Sequence, residues 1–310
     1  MKPLHSIWLI IVLFSCPKDG LYSQEIDYFG QKPPGTRPEV FAPGLISTQQ
    51  QELMISFSAD GKLCIFHRRP NDPSTSEVQY MVREESGWIQ PKGVPFIDNR
   101  NDGYYILSAN DNALYFSSLR PFAGTVEKRK ERKLWKMTFR NQQWQKPRLI
   151  DLFKNTSNTI GHPSFTNDGT VYFYDASKTG GLERADIFYS RFKNGRYGKI
   201  ENPGTGINTN ADECDAFIHP DEKYMLLAVK DHPDCLGDDF DIFISFKQAD
   251  NMWTQAVNLS KTINSRRREI YPRVSPDGKY IFFSSNRTGN WDIYWVDAGI
   301  IEHLKPDELK

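Results

Sequence analysis

The sequence predicts an all-β fold in which similar sheets repeat around a ring. A turn-forming aspartate followed by an apolar strand recurs along the chain, at Asp60, Asp111, Asp168, Asp221 and Asp277. The intervals between these aspartates are 51, 57, 53 and 56 residues. A period of about 40 to 55 residues built from short strands and turns is typical of repeated all-β architectures. The predicted fold is therefore a β-propeller with five blades.

Each repeat has enough apolar segments for the four strands of a blade. The turn separates a first from a second strand, as in "SFTNDGTVYF" and "VSPDGKYIFF". A third strand rich in aromatic and β-branched residues follows, at 78–83, 133–139, 185–191, 240–246 and 291–297. A fourth segment follows in the first four repeats, led by Trp88, Trp144, Tyr197 and Trp253.

The fifth repeat lacks a fourth strand of its own, because the chain ends with "DAGIIEHLKPDELK". Residues 36–48, "TRPEVFAPGLIST", resemble an orphan fourth strand and precede the first repeat. An unpaired sheet edge is unfavourable, so we expect this N-terminal strand to complete the last blade and close the ring.

The motifs of the repeats resemble a known propeller family. The last repeat joins an "SPDG" turn to "SSNR" and "DIY", and earlier repeats add a Trp-x-x-Pro strand. Over residues 36–300 this combination resembles the WD-like (PD) repeats of TolB-type β-propellers. The resemblance implies an exported bacterial protein that serves as a binding scaffold, with lyase or hydrolase chemistry in a minority of members. It also implies six blades as the alternative to the five counted here.

The N-terminus has the pattern of an export signal, in which Lys2 precedes the short apolar run "IWLIIVLF". Two alternatives remain for its processing: a signal peptide of residues 1–23, or a lipoprotein signal in which "LFSC" ends at a lipidated Cys16. Either predicts a periplasmic, outer-membrane-associated or secreted protein with no transmembrane span in the mature chain. A linker at 24–35 and one propeller domain at 36–310 account for the rest.

Charge and cysteines narrow the class of partner and the compartment. The formal net charge is zero, which argues against nucleic acid as the main partner. Cys64 falls in a second strand, where we expect a free buried thiol. Cys214 and Cys235 are predicted on one face of the fourth blade, so an oxidising compartment could join them in a disulfide; two free thiols are the alternative.

Polar residues that recur in every repeat are interpreted as structural, because an active site is needed once and a turn is needed in each blade. We expect the turn aspartates to bond their own turn backbone. The third-strand aspartates should brace a neighbouring loop, in the last blade through Arg287; they are Asp186, Asp241 and Asp292.

Candidate ligand-binding residues lie where the repeats differ, at the start of each innermost strand. Eight residues before the turn aspartates stand Glu52, Gly103, Ile160, Glu213 and Glu269, and six before stand Met54, Tyr105, His162, Asp215 and Tyr271. Carboxylates there could bind a cation, a cationic group or a sugar, and tyrosines could stack on a ring. The candidates are Glu52, Tyr105, His162, Glu213, Asp215, Glu269 and Tyr271; the alternative is a shaft that is only wet and polar.

Two charged loops are predicted on the same face. Blade two contributes the basic segment 127–133, "EKRKERK", and blade four the acidic segment 230–241, "KDHPDCLGDDFD". Such loops would polarise this face and steer a charged partner. The acidic segment lacks the ordered Asp-x-Asp-x-Asp-Gly ligand loop, so no cofactor is predicted and bound calcium stays an alternative.

No motif indicates a catalytic or metal site: Gly-x-Ser-x-Gly, His-Glu-x-x-His, Walker and dinucleotide motifs are absent. The sequence therefore favours a non-enzymatic propeller that binds a protein, peptide or cell-envelope component at the channel mouth. The alternative is a carbohydrate-active hydrolase or lyase whose ligand is a glycan and whose chemistry uses Glu213, Asp215, Glu269 or His162.

Overall fold

The structure, a computed structural model, consists of short antiparallel strands with almost no helix. It describes residues 26–70, 77–98, 101–108, 111–121, 132–150, 160–175 and 185–310. The leader, Cys16 and most of the basic segment 127–133 lie outside these ranges. One helix, α1 (Ile300–Leu304), and a 3-10 turn (Asp307–Leu309) follow the last strand. Within the described ranges, no helix has the length and apolar character needed to cross a membrane.

The first two blades each contain three long strands and two short segments. Strand β1 (Glu39–Val40) precedes them. Blade one consists of β2 (Gln51–Phe57), β3 (Leu63–Arg69), β4 (Glu77–Glu84), β5 (Gly87–Trp88) and β6 (Lys92–Gly93). Blade two consists of β7 (Asp102–Ser108), β8 (Ala113–Ser118), β9 (Lys133–Arg140), β10 (Gln143–Trp144) and β11 (Arg148–Leu149). Both short segments pair with the third strand, in place of one continuous fourth strand.

The remaining three blades repeat this order. Blade three consists of β12 (Gly161–Phe165), β13 (Val171–Asp175) and β14 (Asp186–Ser190), followed by a hairpin of β15 (Phe192–Lys193) and β16 (Arg196–Tyr197). Blade four consists of β17 (Asp212–Ile218), β18 (Tyr224–Lys230), β19 (Asp241–Phe246) and β20 (Val257–Asn258). Blade five consists of β21 (Glu269–Val274), β22 (Tyr280–Ser285) and β23 (Asp292–Asp297).

The N-terminal strand completes the last blade. Strand β1 pairs antiparallel with β23, so that Glu39 faces Trp295 and Val40 faces Tyr294. The sheet order is therefore β1-β23-β22-β21. The predicted closure of the ring is confirmed, and the sheets form five blades rather than six.

Part of the predicted linker packs into the seam between the first and last blades. The Tyr28 ring centroid lies 5.5 Å from that of Phe57 in blade one and 5.2 Å from that of Tyr280 in blade five. Its hydroxyl donates a hydrogen bond to Asp277 Oδ1 at 2.9 Å. Aromatic pairs at these distances contribute about 0.5–1.5 kcal/mol each beyond their buried area, so this segment strengthens the closure.

Each innermost strand carries a β-bulge at the same place. The register shifts in all five strand pairs that involve an innermost strand. The residue inside each bulge has a positive φ of 43° to 59°; these residues are Met54, Tyr104, His162, Asp215 and Tyr271. Positive φ is uncommon for residues other than glycine, and a bulge redirects the side chains around it. Its fivefold repetition makes it a regular part of the blade.

Most turn aspartates bond their own turn, as predicted. Asp60 Oδ1 accepts a hydrogen bond from the Lys62 N–H at 3.0 Å, Asp168 from the Thr170 N–H at 3.0 Å, and Asp277 from the Lys279 N–H at 3.3 Å. The two exceptions are Asp221, which accepts from Asn167 of the neighbouring blade, and Asp111, which binds Tyr115 and Lys136.

Cys64 is a buried free thiol, as predicted, and the Cys214–Cys235 disulfide is not formed. The two thiols lie on opposite faces of the blade-four sheet and therefore cannot meet. Cys214 packs in the same apolar cluster as Ala228, whereas Cys235 packs in the cluster of Val229 on the other face. The Cys235 thiol donates to the Val229 carbonyl at 3.4 Å.

Candidate ligand site at the shaft

A buried carboxylate stands at the start of four of the five innermost strands, on the face of the ring that we call the mouth. The four are 0% to 5% exposed: Glu52, Asp102, Glu213 and Glu269. Each accepts a hydrogen bond from the residue four positions earlier in the incoming turn. Thr48, for example, donates its N–H to Glu52 at 3.0 Å and its hydroxyl at 2.7 Å. These carboxylates therefore hold the connection between one blade and the next.

Three of these carboxylates are also paired with an arginine. The pairs are Arg68–Glu52, Arg120–Asp102 and Arg287–Glu269. Arg287 Nη2 lies 3.1 Å from Glu269 Oε1, and its other Nη2 hydrogen bond goes to the Ile263 carbonyl at 2.6 Å. The expectation that Asp292 braces a neighbouring loop through Arg287 is therefore wrong, since the "SSNR" arginine binds the acid of its own innermost strand.

Glu213 has no arginine. Its Oε1 accepts the N–H of Thr209 at 3.0 Å and the Thr209 hydroxyl at 2.5 Å, but its Oε2 has no partner among the described residues. By the register of the strand pairs, Asp231 stands in blade four where blade five has Arg287. Burial away from water raises the pKa of Glu213 to about 7.

Side chains from four blades meet inside the shaft. His162 Nδ1 lies 2.5 Å from Asp215 Oδ1, and both residues are buried. The Tyr104 ring centroid lies 4.3 Å from that of His162, and the Tyr271 ring stacks on His162 with 4.8 Å between centroids. Burial also raises the pKa of Tyr271, which keeps its hydroxyl protonated. The bulge residues thus fill the shaft between the mouth and the opposite face, which we call the turn face.

The structure brings six of the seven candidate residues to the shaft. They are Glu52, Glu213 and Glu269 in the ring of carboxylates and His162, Asp215 and Tyr271 among the bulge residues. Tyr105 was placed wrongly: it packs in the core between blades one and two, with its ring 6.0 Å from that of His67. Tyr104 occupies the shaft position instead.

Sequence reasoning missed Tyr104 and Asp102 for one reason. In blade two, Ser108 pairs with Ala113 five residues later, just as Ser58 in blade one bonds to Leu63. The sequence position equivalent to Asp60 is therefore 110, and not Asp111. A shift of one residue along a strand turns each side chain to the other face. Alignment on the serine before the turn, rather than on the aspartate, would have found both residues.

The mouth also carries the acidic loop of blade four, residues 231–240. Three of its aspartates are exposed: Asp231, Asp234 and Asp238. Asp239 instead lies 3.4 Å from Arg268 Nε, and the Arg268 guanidinium lies over the Phe240 ring at 4.9 Å. In the described part of the chain, no three His, Cys, Asp or Glu side chains are grouped so as to hold a metal ion.

Comparisons with known proteins support the fold. Neither a scan against protein-family models nor a search of curated proteins finds a match. A solved structure of BT0996 in an RGII complex is 12% identical, with a TM-score of 0.54 over 90% of this chain and 94% of that protein. At this identity the likeness shows a shared fold and nothing about activity.

Two further solved structures are less similar. TolB from Acinetobacter baumannii is 14% identical, with a TM-score of 0.46 over 81% of this chain and 55% of that chain. This chain thus spans about half the length of that TolB. An α-L-arabinanase from Penicillium chrysogenum, complexed with arabinobiose, is 13% identical, with a TM-score of 0.44 over 85% of this chain and 77% of that chain.

Proposed function

We propose that the protein is an exported, non-enzymatic β-propeller that binds a protein, peptide or cell-envelope component at its mouth. The observation that carries this proposal is the state of the mouth carboxylates. Glu52 and Glu269 are fully buried, and each accepts a turn N–H, a hydroxyl and an arginine. A carboxylate held in this way contacts no substrate, so it serves the fold rather than acid–base chemistry.

The acidic loop supports a partner with basic groups. Asp231, Asp234 and Asp238 lie exposed on one loop, and none of them forms an ion pair with a lysine or arginine of the described residues. Clustered like charges of this kind raise the rate at which an oppositely charged partner is captured. The proposed partner therefore presents a basic surface to the mouth.

Export is proposed on the sequence of the leader. Residues 1–23 have the charged start and short apolar run of a secretory signal, with lipidation of Cys16 as the alternative. The single propeller domain, residues 36–310, would then function in the periplasm, at the outer membrane or outside the cell. A TolB-type assignment within the propellers is part of the same proposal and is supported by the repeat motifs.

The raised pKa of Glu213 favours a second candidate function, that of an enzyme. This pKa of about 7 lies in the range of a general acid, and Asp215 is two residues away along the strand. With an opened mouth, this pair would suit a carbohydrate-active hydrolase or lyase. The Glu213→Gln variant separates the two functions, because it removes the acid and keeps the shape of the side chain.

The test combines binding and turnover. The mature protein is immobilised and offered envelope protein extract, peptidoglycan fragments and a panel of glycans, with product analysis of each incubation. We expect saturable, salt-sensitive binding that is weakened in a triple variant, Asp231→Asn, Asp234→Asn, Asp238→Asn. The matched control removes three exposed acids near the C-terminus: Glu302→Gln, Asp307→Asn, Glu308→Gln. Glycan turnover that is lost in Glu213→Gln would overturn the scaffold function in favour of the enzyme. Equal binding by both triple variants would overturn the assignment of partner binding to the mouth.

A further inference from the structure

A cavity of about 170 Å³ lies at the other end of the shaft, on the turn face. It opens between the turns of blades four and five, which supply Pro220 and Gly278 to its rim. The bulge residues separate it from the mouth. Its walls are largely apolar, with Ile55, Phe165 and Phe282 among them.

One residue from each blade lines this cavity at the same level, two positions after the bulge. These residues are Ser56, Ile106, Ser164, Phe217 and Arg273. The arginine belongs to blade five, and it is the one Lys, Arg, Asp or Glu among the described lining residues. The shaft thus places a single guanidinium in an apolar chamber near its axis.

Arg273 is buried and forms no ion pair with a carboxylate of the described residues. It is 6% exposed, and its Nη1 donates to the Pro272 carbonyl at 2.7 Å and to the Ala216 carbonyl at 3.5 Å. Its Nε and Nη2 have no acceptor, and no carboxylate lies within ion-pair distance, in the part of the chain that the structure describes. Asp215, whose charge acts on this guanidinium, is bound to His162.

Arg273 differs in this respect from Arg68, Arg120 and Arg287, each of which pairs with a carboxylate of the mouth. A guanidinium remains charged in proteins, and buried charges are normally paired because desolvation of an unpaired ion costs several kcal/mol. Burial lowers the pKa of Arg273 to about 10, which still leaves the group protonated at neutral pH. The missing partner is therefore an anion, and the cavity is the space in which it would lie.

Two serine hydroxyls that line the same cavity can also donate hydrogen bonds. Ser56 Oγ accepts the Leu107 N–H at 2.9 Å, and Ser164 Oγ accepts the Ile218 N–H at 3.0 Å. Both hydroxyl protons are thus free to be donated, since neither side chain donates elsewhere among the described residues. The guanidinium and the two hydroxyls together offer donors to an acceptor in the chamber.

We propose that this cavity binds a small monocarboxylate with an apolar body. The carboxylate accepts from Nε and Nη2 of Arg273, whose planar fork fits two carboxylate oxygens. The apolar part fills the chamber between Ile55, Ile106 and Phe217. Inorganic phosphate or sulfate fits less well, because either carries more charge and has no apolar part to bury against these walls. The proposal concerns the turn face and does not depend on the function proposed for the mouth.

Titration with benzoate tests the proposal, with benzamide as the neutral analogue of the same shape and inorganic phosphate as the anion without an apolar part. We expect benzoate to bind the wild-type protein, by calorimetry or ligand-detected NMR, with a Kd of about 1 mM or tighter. Benzamide and phosphate should bind at least about tenfold more weakly. Equal binding of benzoate and benzamide, or no benzoate binding to the folded protein, would overturn the proposal.

Two substitutions place the binding at Arg273. Arg273→Met keeps the length of the side chain and removes its charge, so benzoate affinity should fall by about tenfold or more while the melting temperature of the free protein rises. Arg273→Lys keeps the charge and loses the fork, so the affinity should be intermediate; it carries the test if Arg273→Met fails to fold. The matched control, Arg268→Met at the mouth, should leave benzoate binding unchanged. Unchanged affinity in a folded Arg273 variant would contradict the assignment.

Discussion

Three of the four carboxylates at the mouth have an arginine partner, and one does not. Glu52, Asp102 and Glu269 each have an arginine. Blade four has Asp231 at the position of Arg120 and Arg287 and Val229 at the position of Arg68, so Glu213 has none. Burial outweighs the two hydrogen bonds from Thr209 and raises the pKa of Glu213 to about 7. Where three blades have an ion pair, blade four thus has a carboxyl group that titrates near neutral pH.

The stability of the protein should therefore depend on pH through Glu213. The pKa is 4.5 in the unfolded chain and about 7 in the folded one, so the folded state binds the proton more tightly. This contribution is fully present below pH 4.5 and is lost as the pH rises to 7. The Glu213→Gln variant, which has no proton to lose, should be more stable than the wild type above pH 7 by roughly 1–3 kcal/mol. Urea unfolding at pH 4.5 and pH 8 measures the difference.

Glu269→Gln is the matched control, since Glu269 occupies the same position in blade five. Its substitution leaves the half-buried Arg287 without its counter-charge, so this variant should lose roughly 1.5–3 kcal/mol at neutral pH. Opposite signs for the two variants at pH 8 are the expected result. A destabilised Glu213→Gln protein at that pH would show that Glu213 is charged and compensated.

Residue roles at the mouth could be predicted only in part. The acids at the start of the innermost strands follow from the repeat, and Glu52, Glu213 and Glu269 are where the sequence indicates. Their arginines could not be assigned, because the partner comes from the next strand in a pairing that sequence does not fix. Arg68 illustrates this: it reaches Glu52 from the strand position that holds Ser285 in blade five.

At the scale of elements, side-chain amides replace part of the fourth strand. Asn264 accepts the Ile242 N–H with Oδ1 at 2.8 Å and donates from Nδ2 to the Ile242 carbonyl at 2.8 Å. Asn208 makes the same two bonds to Ile187, at 2.9 Å and 2.8 Å. In each case the amide pairs with the third strand as an extra β-residue would, which explains the "GIN" and "TIN" segments of the sequence.

Removal of one amide should weaken its blade. Asn264→Ala leaves the Ile242 N–H buried and unpaired, whereas the Ile242 carbonyl keeps its hydrogen bond from the Leu259 N–H, so the variant should lose roughly 1–3 kcal/mol of unfolding free energy. Gln49→Ala, an exposed position in the equivalent turn that leads into blade one, should change stability by about 0.5 kcal/mol or less. Urea denaturation of both variants measures the contrast; similar values for the two would mean that water replaces the amide.

Strands and turns were largely predictable because their signals are local. The apolar runs and the aspartate-containing turns identify the first three strands of each blade. The bulges gave no such signal, since Met54, Tyr104 and His162 share no residue type that favours positive φ. They are imposed by packing around the shaft, where five strands converge.

For the whole molecule, the seam between the first and last blades determines whether the ring is closed. The seam consists of β1 beside β23, with Phe41 packed 5.0 Å from Trp295 and 4.9 Å from Phe282 between ring centroids. Burying a phenylalanine contributes about 1.5–3 kcal/mol. Closure also sets the two ends of the shaft, with carboxylates at the mouth and Arg273 near the turn face, so each proposed site depends on it.

A designed cross-link tests this closure most directly. Val40 and Tyr294 face each other across the seam and pack in the same apolar cluster, so a Val40→Cys, Tyr294→Cys protein should form a disulfide on mild oxidation. Peptide mapping by mass spectrometry identifies the bond, and Val40→Cys with Val257→Cys, on the outer strand of blade four, is the control pair that should stay reduced. A bond between positions 40 and 294 in the folded protein is the predicted result. Its absence when both thiols are reactive would contradict the closed ring.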